Sequence, residues 1–301
     1  MKKSKRNVYK EITEKIVNAL KEGIGPWIRP YEGSGPHRNA YSGRPYRGIN
    51  ILLLEIEAWK RGFASPLWLT YREAQKLGGY VKRGEKATSV IFWKIIEVEE
   101  KDQNGNPVID PKTGRPVVQK IPFARLYYVF NVEQCELSNF QPPESPQPEG
   151  LLAKLYALPE VKLQAGTIPA YYPLKDIIVM PPIKDFKSPD DFWATFLHEL
   201  THWTGHESRL NRQLENRFGD QAYAMEEMVA EIGAAFLGAF VGLPIERLQH
   251  PEYISNWIRV LENDSKAVFT ASRFAQEACD WLLERVSVEA EEPECEMKEA
   301  A

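Results

Sequence analysis

A chain of 301 residues has room for one large domain or two of ordinary size, and its apolar and aromatic fractions, 43% and 11%, suffice for a packed core. Its three cysteines (Cys135, Cys279, Cys295) lie far apart with no CxxC pair, which excludes a disulfide framework or thiolate metal cage and fits a reducing compartment. The formal net charge of −4 conceals an asymmetry: residues 1–95 carry 19 Lys and Arg against 8 Glu, a net of +11, and residues 96–301 carry the remaining 19 against 34 acids, a net of −15.

The basic half is where a polyanion partner is expected. No apolar run reaches the length of a membrane span and the N-terminus lacks a signal-peptide core, so the expectation is a cytoplasmic protein with no membrane partner. Residues 1–6 form a short basic tail. From Tyr9, the apolar residues Ile12, Ile16, Val17, Ala19 and Leu20 recur at helical spacing and predict an amphipathic helix to Lys21, stopped by Gly23 and Gly25-Pro26. Residues 27–48 mix Gly and Pro with Trp27, Arg29, Tyr31, Arg38, Tyr41, Arg44, Tyr46 and Arg47. Such aromatic density needs a surface to pack on, so this reads as an ordered loop.

A second helix is predicted over Ile49–Lys60. Thr70 with Glu73 makes a capping box for a third, ended by Gly78-Gly79. Val81–Lys86 is a basic strand–turn unit. A strand over Thr88–Val98, a hairpin excursion over 101–116 and a return strand over Phe123–Val132 complete an α+β domain of residues 1–136. Residues 137–150 form the linker, with four prolines between Gln141 and Gly150. A mostly helical second domain of residues 151–290 follows. Its elements are a helix starting at Leu151, strand material over Ala170–Met180, a helix entered through Ser188-Pro189-Asp190-Asp191, a helix over 224–241, and one or two more over 252–286. Residues 291–301 are an acidic tail.

Three of the five histidines fall within Phe196–His206, and the first two frame His198-Glu199-x-x-His202. Four residues apart on a helix places both imidazoles on one face, at a separation one metal ion can bridge, with Glu199 beside the first as a general base. A catalytic zinc takes three protein ligands and keeps a fourth position open, so a third ligand is required. Ser208 stands where a metzincin pattern needs histidine, which rules that pattern out. His206 reaches the metal only if the helix continues through Gly205, and otherwise sits at the rim. Glu227 and Glu231 share a face of a later helix, with Glu226 as a competitor, and Gly233, Ala234 and Ala235 would let two helices approach closely. The pattern resembles the Glu-x-x-x-Asp/Glu helix of gluzincin peptidases. That resemblance implies Glu227 as third ligand and Glu231 as the acid orienting a ligand histidine.

Cations interleaved with aromatics mark single-stranded nucleic-acid grooves, and the candidate contacts are Trp27, Arg29, Arg44, Tyr46, Arg47, Asn50, Trp68, Tyr71, Arg72, Lys82, Arg83 and Lys86. Pro45-Tyr46-Arg47-Gly48-Ile49-Asn50, Trp68-Leu69-Thr70 with Gln75, Val81–Lys86 and Phe130-Asn131-Val132-Glu133-Gln134 resemble the N-terminal domain of ArdC-type antirestriction proteins, itself similar to the front of TraC-type plasmid primases. Tyr171-Tyr172-Pro173, Asp176–Pro181, His198–Leu210 and Glu226–Glu231 are similar to the family's zincin-like metallopeptidase domain.

The resemblance covers nearly the whole chain except the 101–116 excursion and the acidic tail. It implies a mobile-element protein of plasmid conjugation that binds single-stranded DNA, shields it from host restriction and holds one Zn²⁺ or another divalent metal. The implied protein substrate is unidentified, a host restriction component being one candidate. The alternative is a proteolytically inert zincin domain, with protection coming from DNA coating or protein contacts. The intact Glu199 favours catalysis, because a structural metal has no use for a base there.

Overall fold

A computed structural model describes residues 7–25, 35–102, 105–111, 113–138, 140–143, 150–212, 221–243 and 251–288, without the side chains of 93–96, 120–123, 221 and 251–253. Trp27, Arg29, half of the linker (139 and 144–149) and both tails lie outside the described residues.

The front half begins with α1 (Val8–Lys21), capped by Asn7, whose side chain accepts from the Lys10 amide at 3.2 Å. β1 (Arg38–Asn39) leads to α2 (Ile49–Arg61) and β2 (Leu67–Leu69). α3 (Tyr71–Lys76) carries the expected capping box: the Thr70 hydroxyl accepts from the Glu73 amide, and the Glu73 carboxylate from the Thr70 amide. β3 (Tyr80–Val81), β4 (Thr88–Glu99), β5 (Val118–Asn131) and β6 (Cys135–Glu136) follow.

The four-stranded sheet runs β1-β2-β5-β4, with β1 and β2 parallel and the rest antiparallel; β3 pairs with β6. β4 and β5 are paired from Thr88↔Val129 to Glu99↔Val118, whereas β2 joins β5 only at Phe130 and Asn131. The hairpin is therefore a long ribbon. The sequence reading starts the return strand after Pro122, but β5 runs through Pro122, in a stretch where only one side of the strand is paired and a missing N–H is tolerated.

The back half holds α4 (Leu151–Tyr156), β7 (Leu163–Ala165), β8 (Ala170–Tyr172), β9 (Ile177–Met180), α5 (Pro189–Thr204), α6 (Gln221–Val241), α7 (Pro251–Asn263) and α8 (Ala267–Val288). The expected strand over 170–180 is two strands, in a sheet of order β7-β9-β8. The chain reverses between them with Asp176 at φ 50°, held by bonds from the Tyr171 hydroxyl and the Arg209 guanidinium.

The two halves do not hang from the linker as separate bodies. Ile12, Ile16 and Leu20 of α1 and Leu52, Leu53 and Ile56 of α2 belong to the same buried cluster as Trp257 and Val260 of α7 and Val268, Ala271 and Leu282 of α8. The Thr13 hydroxyl donates to the Ser265 carbonyl at 2.7 Å, Lys21 pairs with Glu262 at 2.7 Å, Arg47 pairs with Asp280, and the Gly48 amide donates to Gln276 at 2.9 Å. A basic half and an acidic half thus meet across a common core with complementary pairs at its edge.

Candidate metal centre

α5 forms because Ser188 caps it, accepting from the Asp191 amide at 3.1 Å, with Pro189 in the first turn and two acids facing the positive end of the helix dipole. Phe196, Leu197, Leu200 and Trp203 are buried, which fixes the helix's rotation and turns His198 and His202 towards α6. Their rings lie 4.8 Å apart, near perpendicular. α6 comes close because Gly233 faces Thr201: a Cβ on Gly233 would lie 2.5 Å from Thr201 Cγ2 and 2.8 Å from its Oγ1.

That approach brings the Glu227 carboxylate between the histidines, Oε2 3.6 Å from His198 Nε2 and Oε1 3.7 Å from His202 Nε2. The ligand atoms of His198, His202 and Glu227 all lie within 4.8 Å of one another. Donors around a tetrahedral ion with bonds of ~2.0–2.1 Å sit about 3.3 Å apart, so a small contraction closes this set on a divalent metal.

Behind each imidazole stands a second acid. Glu226 Oε1 lies 3.1 Å from His202 Nδ1 and is held by Arg212, whose Nη2 and Nε donate to its two oxygens at 2.9 and 3.0 Å. Arg212 also donates to the Thr204 hydroxyl and the Thr201 carbonyl, stitching the chain after α5 to both helices. Glu231 Oε1 is 3.8 Å from His198 Nδ1, too far for a hydrogen bond, and both Nδ1 and Glu231 Oε2 are buried without a partner among the described residues. An Nε2-ligated imidazole carries its proton on Nδ1, on the side of the ring where the Glu231 carboxylate lies. This orphaned pair fits a metal on the other side of the ring.

The electrostatics agree. Burial opposes charge on Glu227, yet His198 and His202 hold its carboxyl down at about 2. Burial would discharge His198, but Glu227, Glu231 and Glu199 push it up to about 9. Burial, with Glu227 and Glu199 nearby, pushes Glu231 up to about 8 against the pull of His198. Burial likewise works against Glu226, but His202 and Arg212 keep it below the usual carboxylate range. The pocket is short of positive charge, which a divalent cation supplies. Glu199, buried next to His198, is close enough for its charge to be felt by both His198 and Glu231.

The rival third ligands are placed elsewhere: Glu226 backs His202, and His206 lies past the helix end with Nδ1 2.8 Å from the Ser208 hydroxyl, outside the ligand set. Arg212, which the sequence reading did not single out, looks like any other arginine until its burial against Glu226 is seen.

Comparison with known proteins gives the arrangement its context. Residues 6–130 match the N-terminal domain of anti-restriction factor ArdC, and residues 152–274 match a zincin-like metallopeptidase. The solved metal-free structure of the antirestriction protein ArdC from the R388 plasmid is 35% identical, covers 94% of this chain and 99% of its own, and superposes with a TM-score of 0.76. The chain belongs to the ArdC antirestriction family. The Mn(II)-bound ArdC structure, 33% identical over 94% of this chain, has a TM-score of 0.73. An uncharacterized protein of Sinorhizobium fredii, y4eC, is 35% identical over 92% of this chain and 91% of its own length. Two DNA primases TraC of Escherichia coli are each 35% identical over nearly the whole chain, which spans only 20% and 28% of their lengths.

The residues expected to contact DNA divide on inspection. Arg44, Arg47, Tyr71, Arg72, Lys82, Arg83 and Lys86 are exposed. Trp68 is not: its ring is wholly buried, and its indole N–H donates to His37 Nδ1 at 3.0 Å, with His37 Nε2 2.7 Å from Glu55. As folded, that ring has no face for a base. Tyr46 is half-buried against the same cluster, and burial pushes its phenol up to about 12. Asn50 is engaged by Ile91, accepting from its amide at 2.7 Å and donating to its carbonyl at 2.8 Å. Among the described residues no helix is long and apolar enough to cross a membrane.

Proposed function

We propose that this ArdC-family chain is a zinc-dependent metallopeptidase carried on a single-stranded-DNA-binding domain, acting in protection of incoming DNA from host restriction. The observation that carries the peptidase reading is the convergence of His198, His202 and Glu227 with buried Glu199 beside them. His198, His202 and Glu227 would hold the ion. Zinc, when bound, supplies Lewis-acid polarisation of a peptide carbonyl and acidification of water. Glu199 takes a proton from the attacking water as its oxygen bonds to the carbonyl carbon. The same carboxyl returns that proton to the leaving amine as the C–N bond breaks. Glu226, fixed by Arg212, keeps the His202 proton on Nδ1, and Glu231, 3.8 Å from His198 Nδ1, would accept from it once the ring closes that gap. The DNA reading rests on the +11 charge of residues 1–95 and the exposed Arg44, Arg72, Lys82, Arg83 and Lys86.

Metal analysis of the purified chain is expected to find one zinc per chain, lost in His198→Ala and Glu227→Ala. Glu199→Gln should keep the metal and lose hydrolysis of a peptide library. Stoichiometric zinc that survives His198→Ala would sink the ligand set. The alternative, a metal-holding but inert domain, is favoured if Glu199→Gln protects DNA from restriction as well as wild type does.

A further inference from the structure

The β4–β5 ribbon exposes a cluster of rings that neither the fold nor the metal centre uses. Phe92 is 65% exposed and Tyr127 40% exposed; they meet edge to face at 5.7 Å. The guanidinium of Arg125 lies 5.3 Å from the Tyr127 ring centre, and Arg125 is the direct cross-strand partner of Phe92. Phe92, Arg125 and Tyr127 share the face on which Thr88, Val90 and Val129 are buried: Tyr127 stands across from Val90, at the edge of the core cover, and the Phe92–Arg125 pair is the next rung out. Tyr128, 52% exposed, stands on the opposite face, across from Ser89. A packed hairpin gains nothing from rings left in water, so their exposure calls for a ligand.

We propose that Phe92, Arg125 and Tyr127 form a base-stacking platform for single-stranded DNA; this rests on the single-strand reading given above and specifies where the bases sit. Unpaired bases present flat π faces to aromatic rings and guanidinium planes, whereas bases in a duplex are already stacked on one another. Charge favours a nucleic acid over an apolar protein surface. The exposed turn bearing Lys82, Arg83 and Lys86 leads directly into β4, and Lys86 is six residues from Phe92, about 20 Å of extended chain. Phosphates tracked by that turn can continue along the ribbon while their bases reach the rings. The distal ribbon bears exposed Glu97, Glu99 and Glu100, which repel a polyanion and bound the platform to the half nearer the body. None of the three platform residues belongs to the expected set, whose Trp68 is enclosed.

The test is fluorescence anisotropy of a labelled mixed-sequence oligonucleotide with the full chain and its Phe92→Ala, Tyr127→Ala and Arg125→Ala variants. Each ring removal is expected to weaken single-strand binding about 5- to 100-fold. Phe92→Tyr and Tyr127→Phe should restore it, with thermal melting unchanged because these side chains are exposed. Wild-type affinity in Phe92→Ala and Tyr127→Ala, together with loss in a Lys82/Arg83/Lys86 triple alanine, overturns the platform and leaves the single-strand reading intact. No single-strand binding by the wild type overturns both. Ring variants that weaken duplex and single-strand binding equally, or that abolish restriction protection with DNA affinity intact, assign the ribbon to duplex grooves or to a protein partner and overturn the platform.

Discussion

Arg212 donates from all three guanidinium nitrogens into one buried place, to Glu226, the Thr204 hydroxyl and the Thr201 carbonyl, without touching the ligand triad. A metal held by His198, His202 and Glu227 would feel it through Glu226 and His202. Removing it leaves Glu226 charged and enclosed, so Arg212→Ala is expected to destabilise the fold by about 3–5 kcal/mol, read by urea unfolding. Glu226→Gln is the gentler probe of the same chain of contacts. It should stay folded and bind zinc about 10–100-fold more weakly in a chelator competition titration. Unchanged zinc affinity in Glu226→Gln would show that the carboxylate behind His202 does not orient it. His198 and His202 were legible from spacing alone, because a four-residue interval on a helix has one geometric meaning. The separate placements of adjacent Glu226 and Glu227 were not, because which carboxylate faces the histidines depends on how α6 is rotated against α5.

At the scale of elements, α5 and α6 meet because one side chain is missing. Gly233→Ala gains about 1 kcal/mol of helix propensity but drives a methyl into Thr201, and overpacking of that kind costs about 1–3 kcal/mol. The clash is with a branched side chain on a buried helix, so the balance is expected to be destabilising, with weaker zinc binding as the helices part. Thr201→Ala in the same background should recover both. A Gly233→Ala variant at least as stable as wild type would contradict the close approach. The ribbon shows the complementary lesson: alternation and turn residues announced a hairpin over 88–132, but that Val90 and Val129 are the side chains covered was decided by α2 and Trp68, remote in sequence.

For the whole molecule, the shared core carries a consequence for unfolding. Ile12, Ile16, Leu52 and Leu53 are buried in the same cluster as Trp257, Val268 and Leu282, so neither half keeps its core when the other melts. Calorimetry of the metal-free chain should give a single transition with calorimetric and van't Hoff enthalpies in agreement. Two resolved transitions would show that the halves fold independently despite the common core. Excess zinc should raise the transition temperature, since only the folded chain assembles the ligand triad.

The sequence by itself determined which groups are present and their approximate address: two imidazoles and a carboxylate on one helix, acids on a later helix, a basic front half and the elements that carry them. Those are local properties, set by spacing, caps and charge. Tertiary structure alone decided that Glu227 faces the histidines while Glu226 stands behind one of them, that Arg212 is buried beside the site, and that Trp68 is core. It also decided that Phe92 and Tyr127 are surface and that the two halves share one interior. Each of those depends on which face of an element meets a distant partner, and helical or strand periodicity names the faces without saying what covers them.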